Sequence, residues 1–140
     1  MTSIFNFIFS RRPSVENEVN DAKVETTELK EGYNPRNSTA GANRIDEFIR
    51  APLSKDIESI PGVGAFNAML LEEQGVQTPH QLLAVYMSLG GESDYSVELQ
   101  DKFYYWLQEV GINSNRSTIV EVVAKKVNTW IPGIYDDDVY

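Results

Sequence analysis

The chain is expected to fold as an all-α protein, a compact bundle of about five to six short helices containing a helix-hairpin-helix turn. Three observations predict this. From residue 43 onward, apolar residues recur at three- and four-residue steps, the spacing of one helix face. Glycine and proline fall between those stretches, where they end helices, rather than inside them. No pair of alternating apolar and polar runs marks a strand hairpin.

Residues 43–50 place Ile45, Phe48 and Ile49 on one side, and Pro52 ends the stretch. Residues 66–74 follow a glycine turn and stop at Gly75, a residue suited to the left-handed position after a helix. Thr78 and Pro79 supply an N-cap and a first-turn proline. The helix they open, residues 79–89, carries Leu82, Leu83, Tyr86, Met87 and Leu89 before Gly90-Gly91 stops it. Residues 96–110 space Leu99, Phe103, Trp106, Leu107 and Val110 at helical intervals, with Gly111 beyond. Residues 114–131 carry Ile119, Val122, Val123, Val127, Trp130 and Ile131, and Pro132-Gly133 closes them. Trp106 and Trp130 are expected in a core or an interface rather than stacked on a ligand.

Ile60-Pro61-Gly62-Val63-Gly64 is the most informative segment. Two glycines separated by one aliphatic residue, leading into a helix, are the signature of a helix-hairpin-helix turn. Glycine allows a tight turn and close approach of a partner. The first amides of the following helix have no internal acceptors and face outward, and the helix dipole favours an anion there. On a duplex the anion is a phosphate, gripped without reading sequence. The same residues also serve as an ordinary tight connection between two helices.

Composition narrows the function. The net charge is −9, which argues against a broad basic footprint. Residues 1–43 carry a net of −1 and residues 44–140 a net of −8, so the acidity belongs to the folded part. There is no cysteine and one histidine, His80, which excludes a disulfide framework, a thiolate metal site and a His-rich metal site. Glu72 and Glu73 are adjacent on a helix and face different directions, so they make no catalytic pair. Neither a Walker-type loop nor a nucleophile elbow is present. The chain is expected to be a non-enzyme without cofactor or metal.

Four segments are expected. Residues 1–12 hold an apolar run, in which Ile4, Phe5, Phe7 and Phe9 form a docking motif rimmed by Arg11 and Arg12. The run is too short to span a bilayer and lacks the marks of a secretory signal, so neither a membrane span nor secretion is expected. Residues 13–42 are rich in Glu, Asn, Ser and Thr and are expected to be a disordered linker. Residues 43–132 form the helical domain. Residues 133–140, with Asp136-Asp137-Asp138, are expected to be a solvated acidic tail.

The order of pieces from Asn43 to Ile131 resembles the barrier-to-autointegration factor family, small SAM-like, DNA-bridging proteins of animal nuclei. Asp46-Glu47-Phe48-Ile49-Arg50-Ala51-Pro52-Leu53 is similar to the family's first helix and its exit. Ser59-Ile60-Pro61-Gly62-Val63-Gly64 and Leu71-Glu72-Glu73-Gln74-Gly75-Val76 are similar to its hairpin and glycine stop. Leu82 to Leu89, Phe103-Tyr104-Tyr105-Trp106-Leu107 and Trp130 fit its later helices. Where the family carries two lysines after the hairpin, this chain has Met69 and Leu70, and the family's cysteines are absent. Residues 90–95 form a longer or altered loop, and residues 1–43 and those after Pro132 have no counterpart.

The resemblance implies a homodimer that bridges or compacts double-stranded DNA in chromatin without sequence preference. DNA contacts carried over are Arg44, Gly62, Val63, Gly64 and the amides of Ala65 and Phe66, with Asn115 and Arg116 at the start of the last helix. Lys55 is expected to add charge to that face. Dimer contacts are expected at Leu83, Ala84, Met87, Phe103 and Trp106. A protein partner is expected at the dimer groove or the N-terminal segment. Nuclear localisation follows by resemblance, or a virion or viral factory if the source is a DNA virus. The alternative is a scaffold or virion subunit that kept the fold and lost DNA binding, favoured by the acidic balance and by Met69 and Leu70.

Overall fold

A computed structural model describes residues 32–91 and 97–140. Five α-helices follow in order: α1 (Ala42–Arg50), α2 (Ala65–Glu73), α3 (Pro79–Ser88), α4 (Val97–Val110) and α5 (Arg116–Asn128). Single 3-10 turns occupy Pro35–Asn37, Ile57–Ser59 and Asp137–Val139, and the described residues include no strand.

The last helix is the axis of the molecule. A helix apolar on one side lies at a surface, whereas one apolar all round is enclosed. α5 is of the second kind: Ile119, Val120, Val122, Val123, Ala124 and Val127 are fully buried. α1, α3, α4 and the first 3-10 turn all pack on it. Phe103 and Trp106 of α4 stack at 6.3 Å, and Tyr86 of α3 meets Phe103 edge-on at 5.2 Å. Trp130 lies beyond α5 and is 54% exposed, so only Trp106 of the two tryptophans joins the core.

Local chemistry sets the helix ends. Thr78 and Gln81 cap α3 reciprocally: the Thr78 hydroxyl accepts from the Gln81 amide, and the Gln81 side chain accepts from the Thr78 amide. α1 stops where Ala51 turns extended, as a residue before proline is driven to do. α5 was expected to run to Ile131 but ends at Asn128. The Asn128 side-chain oxygen accepts from the amides of Gly133 and Tyr135, at 2.9 and 3.2 Å, which folds the chain back.

That fold-back corrects the expected acidic tail. Ile134 and Tyr135 are buried, while Asp136, Asp137 and Asp138 remain exposed. The expected linker is corrected over residues 32–42. Tyr33 is buried, and its amide donates to Asp101 Oδ1 at 2.9 Å. The Asn34 amide donates to Ser117 Oγ at 3.2 Å, and the Thr39 amide to Thr118 Oγ1 at 2.8 Å. One aromatic anchor and these hydrogen bonds strap the segment to α4 and α5, although its composition is polar. Residues 1–31, including Ile4, Phe5, Phe7 and Phe9, lie outside the described residues.

A buried lysine fixes α1. Lys126, 3% exposed, donates from Nζ to the carbonyls of Phe48 and Ile49, both at 2.8 Å, and to that of Ala51. Three acceptors require three N–H donors, so the group is an ammonium. Burial lowers its pKa from 10.5; the carbonyls at the negative end of α1 oppose that pull. Adjacent in sequence, Lys125 is half-buried and pairs with the buried Glu121 at 2.9 Å and with Asp137 at 3.7 Å.

Candidate nucleic-acid interface

The glycine turn is closed by a hydrogen bond from the Val63 amide to the Ile60 carbonyl, 2.9 Å long. The element directly before it is the single 3-10 turn at Ile57–Ser59 rather than an α-helix, so the expected helix-hairpin-helix pair is not formed by two α-helices here; α2 follows. The two glycines play different parts. Gly62 has φ +96°, and a Cβ there would stand 2.9 Å from Ile119 Cγ1 and 3.4 Å from Asn115 Cβ. Its bare side therefore faces α5, not a partner. Gly64 has ordinary extended backbone, φ −93°, and a Cβ there meets nothing within 4 Å. Of the two, Gly64 is the position open to an outside surface. Val63 is buried, so its side chain serves the core; Ala65 and Phe66 are exposed.

Asn67 locks the turn to α5. Buried at 4% exposure, it donates from Nδ2 to the carbonyls of Gly62, at 3.1 Å, and Ser114, at 3.3 Å. Asn115 sits at the junction in the left-handed region, φ 65°, where asparagine is tolerated. Its side-chain oxygen accepts from Thr39 Oγ1 at 3.4 Å. Thr39 is two residues before Gly41, a span of at most about 7 Å.

Three helix N-termini thus gather around Asn115: α1 behind Gly41, α2 behind Gly64, and α5 itself. No side chain caps any of the three, and none has an acidic residue in its first turn. In a chain of net charge −9 this is a local exception. By contrast α4 carries Glu98 in its first turn and α3 is capped. Each N-terminus carries about half a positive charge; the first residues of α1 and α2 are exposed, whereas Ser117 and Thr118 in the first turn of α5 are buried.

The charged residues divide. Arg44 is exposed in the first turn of α1 and lines a groove with Ser54 and Ser59, which lead into the glycine turn. Lys55 is exposed in the same loop, beside Asp56 in sequence. Arg116 does not reach outward as expected. Nη1 donates to the Ile112 carbonyl at 2.7 Å and Nη2 to the Tyr104 hydroxyl at 3.1 Å. Its guanidinium lies 4.8 Å from the Tyr104 ring centre. It ties α4 to α5 instead.

The expected dimer residues also divide. Leu83 and Phe103 are 2% and 0% exposed within one chain, and Trp106 is 6% exposed. They are core, not interface, because the helical periodicity that marks an inward face does not say what lies opposite. Ala84 and Met87 are at the surface.

No protein-family model, curated protein or solved structure matches the chain. Among the described residues no helix is long and apolar enough to cross a membrane.

The part of this face that the sequence hid is its third component. Gly41 ahead of α1 is an N-cap signal, but the polar stretch around it masked the strap that holds it beside Asn115.

Proposed function

We propose that the protein is a non-enzymatic, non-sequence-specific binder of double-stranded DNA that grips phosphates through backbone amides. The observation that carries this is the gathering of three uncapped, acid-free helix N-termini around Asn115 on an otherwise acidic chain. Contacts to phosphate alone carry no sequence information. Gly64, Ala65 and Phe66 supply amides in a helix-hairpin-helix manner, Asn115 lies at the centre, and Arg44 and Lys55 add charge at the edge. Bridging follows from a homodimer with one grip on each subunit, with Ala84 and Met87 as the exposed members of the expected contact set.

Few cations are involved, so the salt slope is shallow. Two neutralised phosphates per grip correspond to a slope of about −2 in log affinity against log salt. The test is a fluorescence-anisotropy titration of a random-sequence duplex at two salt concentrations with wild type and Gly64→Glu. The carboxylate stands in open space before the amides, so the fold is kept and binding is expected to be lost. Unchanged affinity in a folded Gly64→Glu protein overturns the proposal. Gly62→Glu is the poorer test, because it strikes Ile119.

A further inference from the structure

α2 carries two large apolar side chains on its outward face. Phe66, in the first turn, is 65% exposed, and Met69, three residues on and thus on the same face, is 46% exposed. The inward side of the same helix is served by Leu71, fully buried, with Leu70 partly buried against the core. Phe66 follows Gly64 by two positions, so its ring stands at the same helix end as the uncapped amides. Beyond Met69 the surface changes sign: Glu72 and Glu73 are exposed, about 9 Å along the axis from Phe66. The face is therefore anion-accepting at its tip, aromatic and apolar over the next turn, and anion-repelling after that.

A ligand fitting this order joins one anion to a flat apolar group and carries no further anion down the helix. An unpaired nucleotide has this form. In a continuous duplex the bases are paired and turned away from a protein holding the phosphates, which leaves Phe66 in water. A base freed from pairing swings outward and lies on the ring, with Met69 beside it. Aromatic stacking of this kind tolerates any base. We infer that the face prefers unpaired nucleotides, at gaps, ends or loops, over continuous duplex, with Phe66 as the stacking platform. The inference rests on the phosphate grip proposed above. An apolar protein segment would cover Phe66 and Met69 but would make no use of the amides beside them.

The test compares a duplex with the same duplex interrupted by a short single-stranded gap containing 2-aminopurine. Both are titrated with the full chain, with Phe66→Ala and with Gly64→Glu. The gapped DNA is expected to bind about ten-fold more tightly, with quenching of the aminopurine. Phe66→Ala, at a position the core does not use, is expected to lower gapped affinity to the duplex value measured with the same variant and to remove the quenching. Equal wild-type affinity for the two DNAs, or a preference that survives Phe66→Ala, overturns the inference, leaves the grip standing and assigns the face to a protein. Binding of both DNAs undiminished by Gly64→Glu overturns the grip and this inference with it.

Discussion

The hydroxyls of Tyr33 and Tyr135 meet at 2.6 Å in the interior, joining residues 102 positions apart. Tyr140 packs on both rings, at 5.1 Å from Tyr33 and 5.8 Å from Tyr135. This cluster closes the strap and the C-terminal turn over α5, and it yields the first prediction.

Burial, foremost, raises the pKa of Tyr33 and Tyr135 well above the ordinary 10.0. Above pH 10 the unfolded chain loses these protons while the folded one keeps them. The stability they provide is fully present below about pH 10 and falls as the pH rises further. Denaturation midpoints across this range are expected to drop for wild type and to drop less for the Tyr33→Phe/Tyr135→Phe double variant. Tyr135→Phe alone leaves a buried hydroxyl without its partner and is expected to cost about 1–3 kcal/mol at neutral pH.

The strap is expected to contribute measurable stability. A chain begun at Asn43 loses the buried Tyr33 ring and the bonds to Asp101, Ser117 and Thr118. Relative to a chain begun at Gly32 it should be less stable by about 3–5 kcal/mol, the scale of deleting a large buried aromatic side chain. Thermal unfolding of the two chains decides it. Equal melting temperatures mean the strap contributes nothing.

Asn67 is expected to link stability to binding. Asn67→Ala removes both bonds that join the glycine turn to Ser114. The loss should be about 1–3 kcal/mol, together with weaker DNA binding, because α2 and α5 no longer hold their N-termini in fixed relation. A destabilised variant that binds DNA at wild-type affinity separates the two and argues against the shared face.

Lys126→Met strands three carbonyls at the end of α1. Methionine fills much of the space, and water reaches the exposed Ala51, so the expected cost is about 2–3 kcal/mol. Urea titration measures it. Lys125→Met breaks the pairs with Glu121 and Asp137 and leaves the buried Glu121 carboxylate without its cation, so it too should cost about 1–3 kcal/mol.

The helices were legible because periodicity and punctuation agreed. Thr78-Pro79 and Gly75 mark their ends by local chemistry, and the structure places α3 behind the first pair and Gly75 just beyond α2. The strap and the fold-back after α5 were not legible. Each depends on one or two aromatic residues set in polar sequence, Tyr33 and Tyr135, whose partners lie far along the chain. Lys126 was hidden for a related reason: two adjacent lysines in a last turn look equally solvated, and only the packing of α1 separates them. At the candidate interface the glycines were found but their parts differ from expectation. A sequence shows that Gly62 and Gly64 are both glycine; it does not show that Ile119 stands beside one and nothing beside the other.

Lys126 has a consequence at the far end of α1. A free helix of this length, about 13 Å, presents two opposite poles, and at a distance they largely cancel. Here a full positive charge is seated against the negative pole. The tail of α1 is neutralised and over-compensated, so its front end is no longer opposed. Seen from Gly41, α1 behaves less as a dipole than as a lone positive monopole, and a side chain at the opposite end of the helix extends the reach of its field.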